Sequence, residues 1–434
     1  MEGPRLCDRR SARAGFCVLV ALGGLLCLGA GLLIKGRSRG PAPQPSIGPA
    51  SNESVPAARL TISAPPAAPA LASAPVLAAT NPVPASVSAP SAYARELVAR
   101  LSSPDWAAGS LPAEKLAQWK QGLQELIQEG AVAVPAIQEF LAKNSDIAFG
   151  PDNSGALGYS SARSALVGAL AQIGGPEATT ALLQTMQTTS EPAELAVLAQ
   201  DLNKLAPDQF QDQAVQSARQ LLAALSANSA LLGDKDVAPL FEVLAKYGDA
   251  GVAPDLERVS GRWGYYAAIA LAQLPDGAGI PSLVRLAQPP DGVPTTMQDP
   301  DIRALAELSC AYPPALDALV KLATQSKVLL VSWVGMVPLL AGDQLGFQYS
   351  AFDGTATPDN RSNLTTSHLS WGNQNFYTAC SPTELTLDQV AQRLQVVQTL
   401  LSAAADPAAQ QALANASSLL MAHVPPPSAN PPGN

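Results

Sequence analysis

The sequence predicts an all-α protein: an irregular α-solenoid of about six helix pairs, preceded by one transmembrane helix and a disordered linker. Three features of the chain carry this prediction. A helix–turn–helix pattern recurs through residues 93–341, an uncharged apolar run occupies residues 14–34, and Pro, Ala and Ser dominate the stretch between them. Helix pairs of this kind stack on one another, because a single pair cannot bury its own apolar face.

The apolar run at residues 14–34, AGFCVLVALGGLLCLGAGLLI, contains no charged residue. A helix of this length rises about 30 Å, which matches the hydrocarbon core of a bilayer. The alternative is a cleaved signal peptide, whose apolar region is shorter and is followed by a site of small residues. Here the run is followed instead by the basic segment KGRSRG. We therefore expect an uncleaved anchor behind a short basic head, residues 1–13.

Small residues recur every four positions along the predicted anchor, at Gly23, Cys27 and Gly31. Such a seam lets two membrane helices approach closely, so it offers a route to a homodimer. The alternative is an incidental spacing, because small residues are frequent in membrane helices.

Charge is distributed unevenly along the chain. The first 39 residues carry seven Lys or Arg and two Asp or Glu. Since the whole chain has a formal net charge of −9, the remainder has a net charge of −14. The basic head favours an N-terminus inside the cell. The alanine-rich and proline-rich composition is typical of high-GC bacteria, which predicts an inner-membrane protein with its C-terminal domain in the periplasm. The acidic remainder argues against nucleic acid as a partner, because phosphate binding needs clustered Lys and Arg.

Residues 35–92 are predicted to be a disordered linker. Between residues 41 and 92 the chain contains 12 Pro, 15 Ala and 8 Ser, with Glu53 and Arg59 as the charged residues. Proline lacks a backbone donor and has a fixed φ, so no regular element persists. At about 3.1 Å per residue in the polyproline conformation, the linker reaches of order 150 Å. That reach would carry the folded part well clear of the membrane.

The repeat is clearest in residues 163–186, RSALVGALAQIGGPEATTALLQTM, where two helical patterns meet at residues 174–176. The sequence Ala-Leu-Ala-Gln at 169–172 returns at 270–273, and a close copy at 304–307 follows 34 residues later. Second helices begin near prolines, which suit the first helical turn. First helices are predicted to end near residues 128, 173, 205, 247, 274 and 308.

The pattern Ala-Leu-x-x-Ile-Gly-x-Pro-x-Ala-x-x-x-Leu-Leu at residues 169–183 resembles the HEAT repeat, in the variant found in phycobilisome lyases. The resemblance is good over residues 162–186, fair over 262–323, and covers about half of residues 93–325. It implies a right-handed stack of helix pairs with one concave face. Proteins of this kind are mostly scaffolds and protein-binding surfaces. Lyase activity is not implied, because no residue here marks a chromophore site.

The C-terminal third contains three further segments. Residues 327–341 are strongly apolar and are predicted to form a buried capping helix, broken near Gly335 and Pro338; a membrane-touching segment is the alternative. Residues 384–422 are predicted to form C-terminal helices that begin at a cap on Thr383. Residues 423–434 are predicted to be a disordered tail.

Residues 342–383 lose helical periodicity and combine Asn, Ser, Thr and Gly with aromatic side chains. They form either an ordered insertion, such as a small hairpin, or a binding loop. Aromatic residues among polar ones are typical of binding patches. The predicted partner contacts are Phe347, Tyr349, Phe352, Trp371, Phe376 and Tyr377. The alternative is that these aromatic residues anchor the insertion to the end of the solenoid.

Catalytic signatures are absent from the sequence. His368 and His423 are its two histidines, too few for the common zinc and di-iron sites. It contains no H-E-x-x-H, C-x-x-C, G-x-S-x-G or Walker lysine motif, so we expect no metal, cofactor or enzymatic activity. One alternative is a hydrolase site around His368 and Cys380, because a Cys/His pair supplies a nucleophile and a base. Cys380 is also available to pair with Cys310 in an oxidising compartment.

The predicted function is therefore non-catalytic. The protein is expected to be a membrane-tethered scaffold that presents a helical-repeat surface to a protein or peptide partner. Two alternatives remain: a structural subunit of a cell-envelope complex, and an envelope hydrolase with its site near His368.

Overall fold

The computed structural model describes residues 89–347 (apart from 108 and 234), 365–371, 374–381 and 383–424. This part of the chain is helical apart from one small sheet, which confirms the all-α prediction. The predicted head, anchor and almost all of the linker lie outside it, as does most of the predicted tail. Within it, no helix is both long and apolar enough to cross a bilayer.

Seventeen α-helices lie in the described part of the chain. In chain order they are α1 (Ala92–Leu101), α2 (Ala113–Gln128), α3 (Val134–Leu141), α4 (Pro151–Leu157), α5 (Ala162–Ile173), α6 (Gly175–Thr188), α7 (Pro192–Leu205), α8 (Gln211–Ala227), α9 (Ser229–Leu232), α10 (Ala238–Tyr247), α11 (Ala253–Gln273), α12 (Ile280–Leu286), α13 (Asp299–Leu308), α14 (Pro313–Thr324), α15 (Leu330–Leu340), α16 (Leu387–Ala403) and α17 (Pro407–Met421).

The predicted ends of the first helices are confirmed to within one residue, at the ends of α2, α5, α7, α10, α11 and α13. Local chemistry explains the turn between α5 and α6. Gly174 and Gly175 have φ values of 64° and 78°, which side chains other than glycine rarely adopt. Proline then occupies the first turn of α6, where its missing N–H costs no hydrogen bond.

Each helix packs mainly against helices close to it in sequence. Thus α5 contacts α6 and α7, α6 contacts α7 and α8, and α13 contacts α14 and α15. One continuous core of buried Leu, Ile, Val and Ala side chains runs through these contacts. Its many alanines let neighbouring helices approach closely, so small side chains and leucines share the packing.

Two helices of adjacent predicted pairs are joined in α11 without a loop. The joint is at Trp263, whose φ of −125° and ψ of 49° are not helical. The Trp263 ring is buried and packs edge-on against Phe241 of α10, 6.1 Å between ring centroids. This contact holds the kink in place, because the indole fills the core at the point where the helical path changes.

The insertion contains a three-stranded antiparallel sheet. Its strands are β1 (Gln344–Phe347), β2 (Thr365–Trp371) and β3 (Gln374–Ser381), in the order β1-β3-β2. The sheet enters the chain between α15 and α16, which still contact each other. Strand β1 packs on α11 and α13, and β3 packs on α11. The described strands of the insertion are therefore attached to two helices, α11 and α13.

Helix α15 differs from the prediction in two ways. It continues without a break through Gly335 and Pro338, because a proline in the last turn removes one hydrogen bond only. It is also buried on one face only: Trp333 and Met336 lie in the core. The opposite face is exposed, with its larger residues being Leu330, Val331 and Val334.

Candidate functional site

The predicted partner contacts are not all surface residues. Phe347 is only 7% exposed, and its ring lies 5.8 Å from that of Tyr266 on α11. This burial agrees with the alternative in which Phe347 anchors the insertion. The other five contacts are described in part: the backbones of Trp371, Phe376 and Tyr377 lie on β2 and β3, whereas Tyr349 and Phe352 lie outside the described residues.

The strand register separates the two members of the suggested Cys/His pair. His368 is opposite Tyr377, whereas Cys380 is opposite Leu345 and Thr365. Tyr377 and Cys380 are three positions apart on β3, and positions an odd number apart belong to opposite faces of a strand. The register therefore gives the hydrolase hypothesis no support. Cys310, the other candidate for a disulfide, is a free, half-buried thiol.

A cleft of about 430 Å³ lies between the middle of α11, the end of α12 and the segment that leads into α13. Its lining combines apolar and polar side chains. The rim residues Val293 and Met297 are 66% and 48% exposed. Ser260 and Gly261 come from α11, close to the kink at Trp263. Both the volume and the mixed lining are in the range of ligand-binding clefts.

Asp301 on the first turn of α13 also lines this cleft. Its side chain is buried, with the residue only 4% exposed, and its Oδ1 accepts no hydrogen bond from the described residues. Burial raises the pKa of Asp301 well above its ordinary value of 3.8. A hydrogen bond from its own backbone N–H acts in the opposite direction, and the nearby charge of Asp299 raises the pKa further. Most buried polar atoms have partners, so a carboxyl oxygen that lacks one and also lines a cleft has the capacity to bind a group from outside the fold.

Asp299 has partners within the fold for its Oδ2, although its Oδ1, like that of Asp301, accepts no hydrogen bond from the described residues. Its Oδ2 accepts the hydroxyl of Tyr265 at 2.5 Å and lies 2.9 Å from Nε of Arg303. The Arg303 contact is an ion pair without good hydrogen-bond geometry, because the same Nε makes no hydrogen bond. Burial and the Asp299 charge raise the pKa of Tyr265, so its hydroxyl remains a donor. The two carboxylates are thus distinct: Asp299 is held by its neighbours and Asp301 faces the cleft.

The local sequence explains how Asp301 reaches this position. Thr295 and Gln298 form a capping box ahead of α13, which sets the direction in which the helix begins. Pro300 occupies the first turn, and Asp299 and Asp301 lie at the N-terminal end of α13, where the helix dipole favours negative charge. Acidic residues in a first turn are usually solvated, so the sequence alone contained no signal that Asp301 is buried.

A second carboxyl group, the half-buried side chain of Glu307, connects the sheet to the helices. Glu307 near the end of α13 accepts the backbone N–H of Leu345 on β1 at 3.0 Å. Burial raises the pKa of Glu307 from 4.5 to about 7, although the Leu345 hydrogen bond and the positive charge of Arg393 act in the opposite direction. Asp343 also lies near Arg393, and burial raises its pKa.

The raised pKa of Glu307 predicts a pH-dependent stability. The folded state binds the Glu307 proton more tightly than the unfolded state does. The stabilisation that this proton gives the folded state is therefore complete below pH 4.5 and is lost as the pH rises through 7. We expect Glu307→Gln to raise the free energy of unfolding at pH 8 by about 1–2 kcal/mol relative to wild type, and not at pH 4.5. Urea unfolding at both pH values measures this. The control Glu384→Gln, at an exposed position, should leave the free energy of unfolding unchanged at both pH values. If the two variants changed it by the same amount at pH 8, the assignment to Glu307 would be contradicted.

Metal chemistry has no evident site in this part of the molecule: the described residues contain no group of three His, Cys, Asp or Glu side chains placed to hold an ion. Comparisons with protein-family models, with curated proteins and with solved structures gave no match. The Asp301 cleft is therefore the candidate site, on the basis of its own geometry.

Proposed function

We propose that the protein is a membrane-tethered, non-catalytic scaffold whose helical repeats bind a protein or peptide partner at the Asp301 cleft. In this proposal residues 93–341 form a HEAT-like α-solenoid. Residues 14–34 anchor the chain in a bacterial inner membrane, with pairing through Gly23, Cys27 and Gly31 as one route to a dimer. The folded part then lies in the periplasm at the end of the linker.

Two observations support the repeat architecture. Helix ends recur at nearly the predicted positions, from the end of α2 to the end of α13. Each helix also packs on its near neighbours in sequence, as expected of repeats that contact only adjacent repeats. Architectures of this kind leave long continuous surfaces free for partners, which suits a scaffold.

The binding function is proposed from one observation, the cleft itself. It combines a buried carboxyl oxygen that no described residue satisfies with exposed apolar side chains at the rim, Val293 and Met297. A polar group that needs a partner, surrounded by apolar contact area, is the usual composition of the centre of a binding site. We therefore propose the cleft as the contact region, with the insertion as a structural element.

A structural subunit of an envelope complex is the second candidate. Its supporting observation is the exposed apolar face of α15, formed by Leu330, Val331 and Val334. Exposed apolar patches of this kind frequently mark lasting protein contacts. The two candidates differ in stoichiometry: a client binds substoichiometrically, and a permanent neighbour binds in a fixed ratio.

Co-purification of the full chain from its native membrane tests the proposal. We expect one defined protein to accompany the wild type and to fall at least about tenfold in the Val293→Asp variant, because a charge at the rim disrupts apolar contact. The matched control is Val132→Asp, since Val132 is a similarly exposed valine in the turn before α3. Quantitative mass spectrometry reads the amount and the ratio of the bound protein.

Three outcomes are informative. Loss of the co-purifying protein from Val293→Asp, with its retention by Val132→Asp, supports binding at the cleft. Equal retention by both variants would exclude the cleft as the contact region. A fixed one-to-one ratio that survives both substitutions would favour the structural subunit.

A further inference from the structure

We infer that the Asp301 cleft accepts the basic side chain of an Arg or Lys residue of the partner protein. This inference rests on the proposed function and specifies the chemistry of the same site. It follows from the charges that line the cleft, from the hydrogen-bonding state of Asp301 and from the apolar contacts available along the path to it.

The charges around the cleft favour a cationic group. Of the described residues that line it, Asp291 and Asp301 are acidic and none is basic. The nearest positive charge on α13, Arg303, is already paired with Asp299. The chain beyond residue 39 has a net charge of −14, so long-range attraction also favours a basic partner.

Asp301 has the unused capacity that such a group needs. Its Oδ1 accepts no hydrogen bond from the described residues. A guanidinium or ammonium group supplies donors and no acceptor, so it satisfies a carboxylate without creating a new unpaired polar atom. Since burial favours the protonated acid in the free protein, cation binding and loss of the Asp301 proton are coupled.

The apolar lining suits the rest of a long basic side chain. Lys and Arg carry methylene stems that pack along apolar surface while the charged end reaches a polar partner. Leu286 and the rim residues Val293 and Met297 provide apolar surface in the lining of the same cleft as Asp301. A volume of about 430 Å³ holds one such side chain together with part of its neighbours.

Peptide binding to the full chain in detergent tests the inference. The probe is a capped pentapeptide, Gly-Leu-Arg-Leu-Gly, and its matched control replaces the arginine with citrulline, which has nearly the same shape and no charge. We expect isothermal titration calorimetry to show at least about tenfold tighter binding of the arginine peptide to the wild type. Equal affinities for the two peptides would overturn the inference without any protein variant.

The variant Asp301→Asn should remove this preference. Asparagine resembles the protonated acid in shape and charge, so the fold should be retained, and a thermal melt checks this. We expect the affinity for the arginine peptide to fall about tenfold, whereas Asp317→Asn, at an exposed position on α14, should leave it unchanged. An Asp301→Asn protein that folds and still prefers the arginine peptide would also overturn the inference.

Proton linkage provides a readout that a purely structural role would not change. If a cation replaces the Asp301 proton, affinity rises with pH by up to about tenfold per pH unit in the range where the free carboxyl is protonated. The slope should vanish in Asp301→Asn. A wild-type affinity that does not depend on pH in that range would contradict the exchange.

Free cations distinguish a protein side chain from a small molecule. Arginine amide and spermidine should bind at least about tenfold more weakly than the peptide, because they lack the flanking contacts with Val293 and Met297. Binding of either as tightly as the peptide would overturn the assignment to a partner protein. Co-purification of the native partner separates this inference from the proposed function. If the partner is lost from Val293→Asp but is fully retained by Asp301→Asn, the scaffold proposal stands and the basic side chain is excluded.

Discussion

Replacing Glu194 with Ala should lower the free energy of unfolding by about 3–5 kcal/mol, because it leaves Arg163 as a buried charge without its partner. Arg163 on α5 and Glu194 on α7 form a bidentate ion pair with N···O distances of 2.5 and 2.9 Å. Their side chains are only 6% and 12% exposed. Arg163 also donates to the carbonyl of Leu141 at 2.7 Å, so one guanidinium joins three helices.

The surface pair Arg95–Glu139 is the matched control. These side chains are 52% and 49% exposed, although they too are bidentate, so solvent screens their attraction. Glu139→Ala should therefore lower the free energy of unfolding much less than Glu194→Ala does. Urea unfolding of the full chain, followed by circular dichroism, measures both variants. A similar loss in the two would show that burial does not set the strength of the Arg163 pair.

Replacing Phe347 with Ala should destabilise the attachment of the sheet by about 3–5 kcal/mol. The ring is buried against Tyr266, which in turn forms a side-chain hydrogen bond with Asp236. Truncation leaves a cavity between β1 and α11. It also removes the contact between the two rings, and comparable aromatic pairs stabilise the fold by about 0.5–1.5 kcal/mol beyond the burial of their surface. Phe347→Leu, which fills most of the space, should cost clearly less.

Hydrogen exchange locates this effect. We expect the backbone amides of β1 and β3 to lose protection in Phe347→Ala, while those of α2 and α3 keep it, because destabilisation is local when a peripheral unit opens first. The same variant separates the two interpretations of the insertion. Full stability together with loss of a bound partner would restore Phe347 as a contact residue and would weaken the case for the cleft.

Local rules explain why so many helix boundaries were predictable. Gly174 and Gly175 permit positive φ, and prolines such as Pro254 and Pro281 suit the first helical turn. These signals act within a few residues, so they can be recognised in the chain alone. The prediction was wrong by one turn at α16. The helix is capped by Thr386, which has Gln389 three positions later and so completes a capping box, whereas Thr383 has a threonine at that position.

The candidate site was not predictable for the opposite reason. Asp299 and Asp301 are two positions apart in an ordinary helical first turn, and the sequence does not distinguish them. Only the packing of α11 against α13 gives Asp299 the hydroxyl of Tyr265, 34 positions earlier in the chain, and leaves Asp301 at the cleft. Likewise, the aromatic character of Phe347 fits an exposed contact and a buried anchor equally well, and only the position of α11 shows that its ring is buried.

The sequence by itself determined that the folded part is helical and where most helices begin and end, since capping, glycine conformation and apolar periodicity are short-range properties. Tertiary structure alone decided which polar groups are buried, which face of α15 is exposed and where the sheet is attached. These depend on contacts between residues far apart in the chain. The free energy of ionising a carboxyl group such as that of Asp301 or Glu307 is set by the groups around it in the fold. The neighbouring residues in the sequence do not specify that environment.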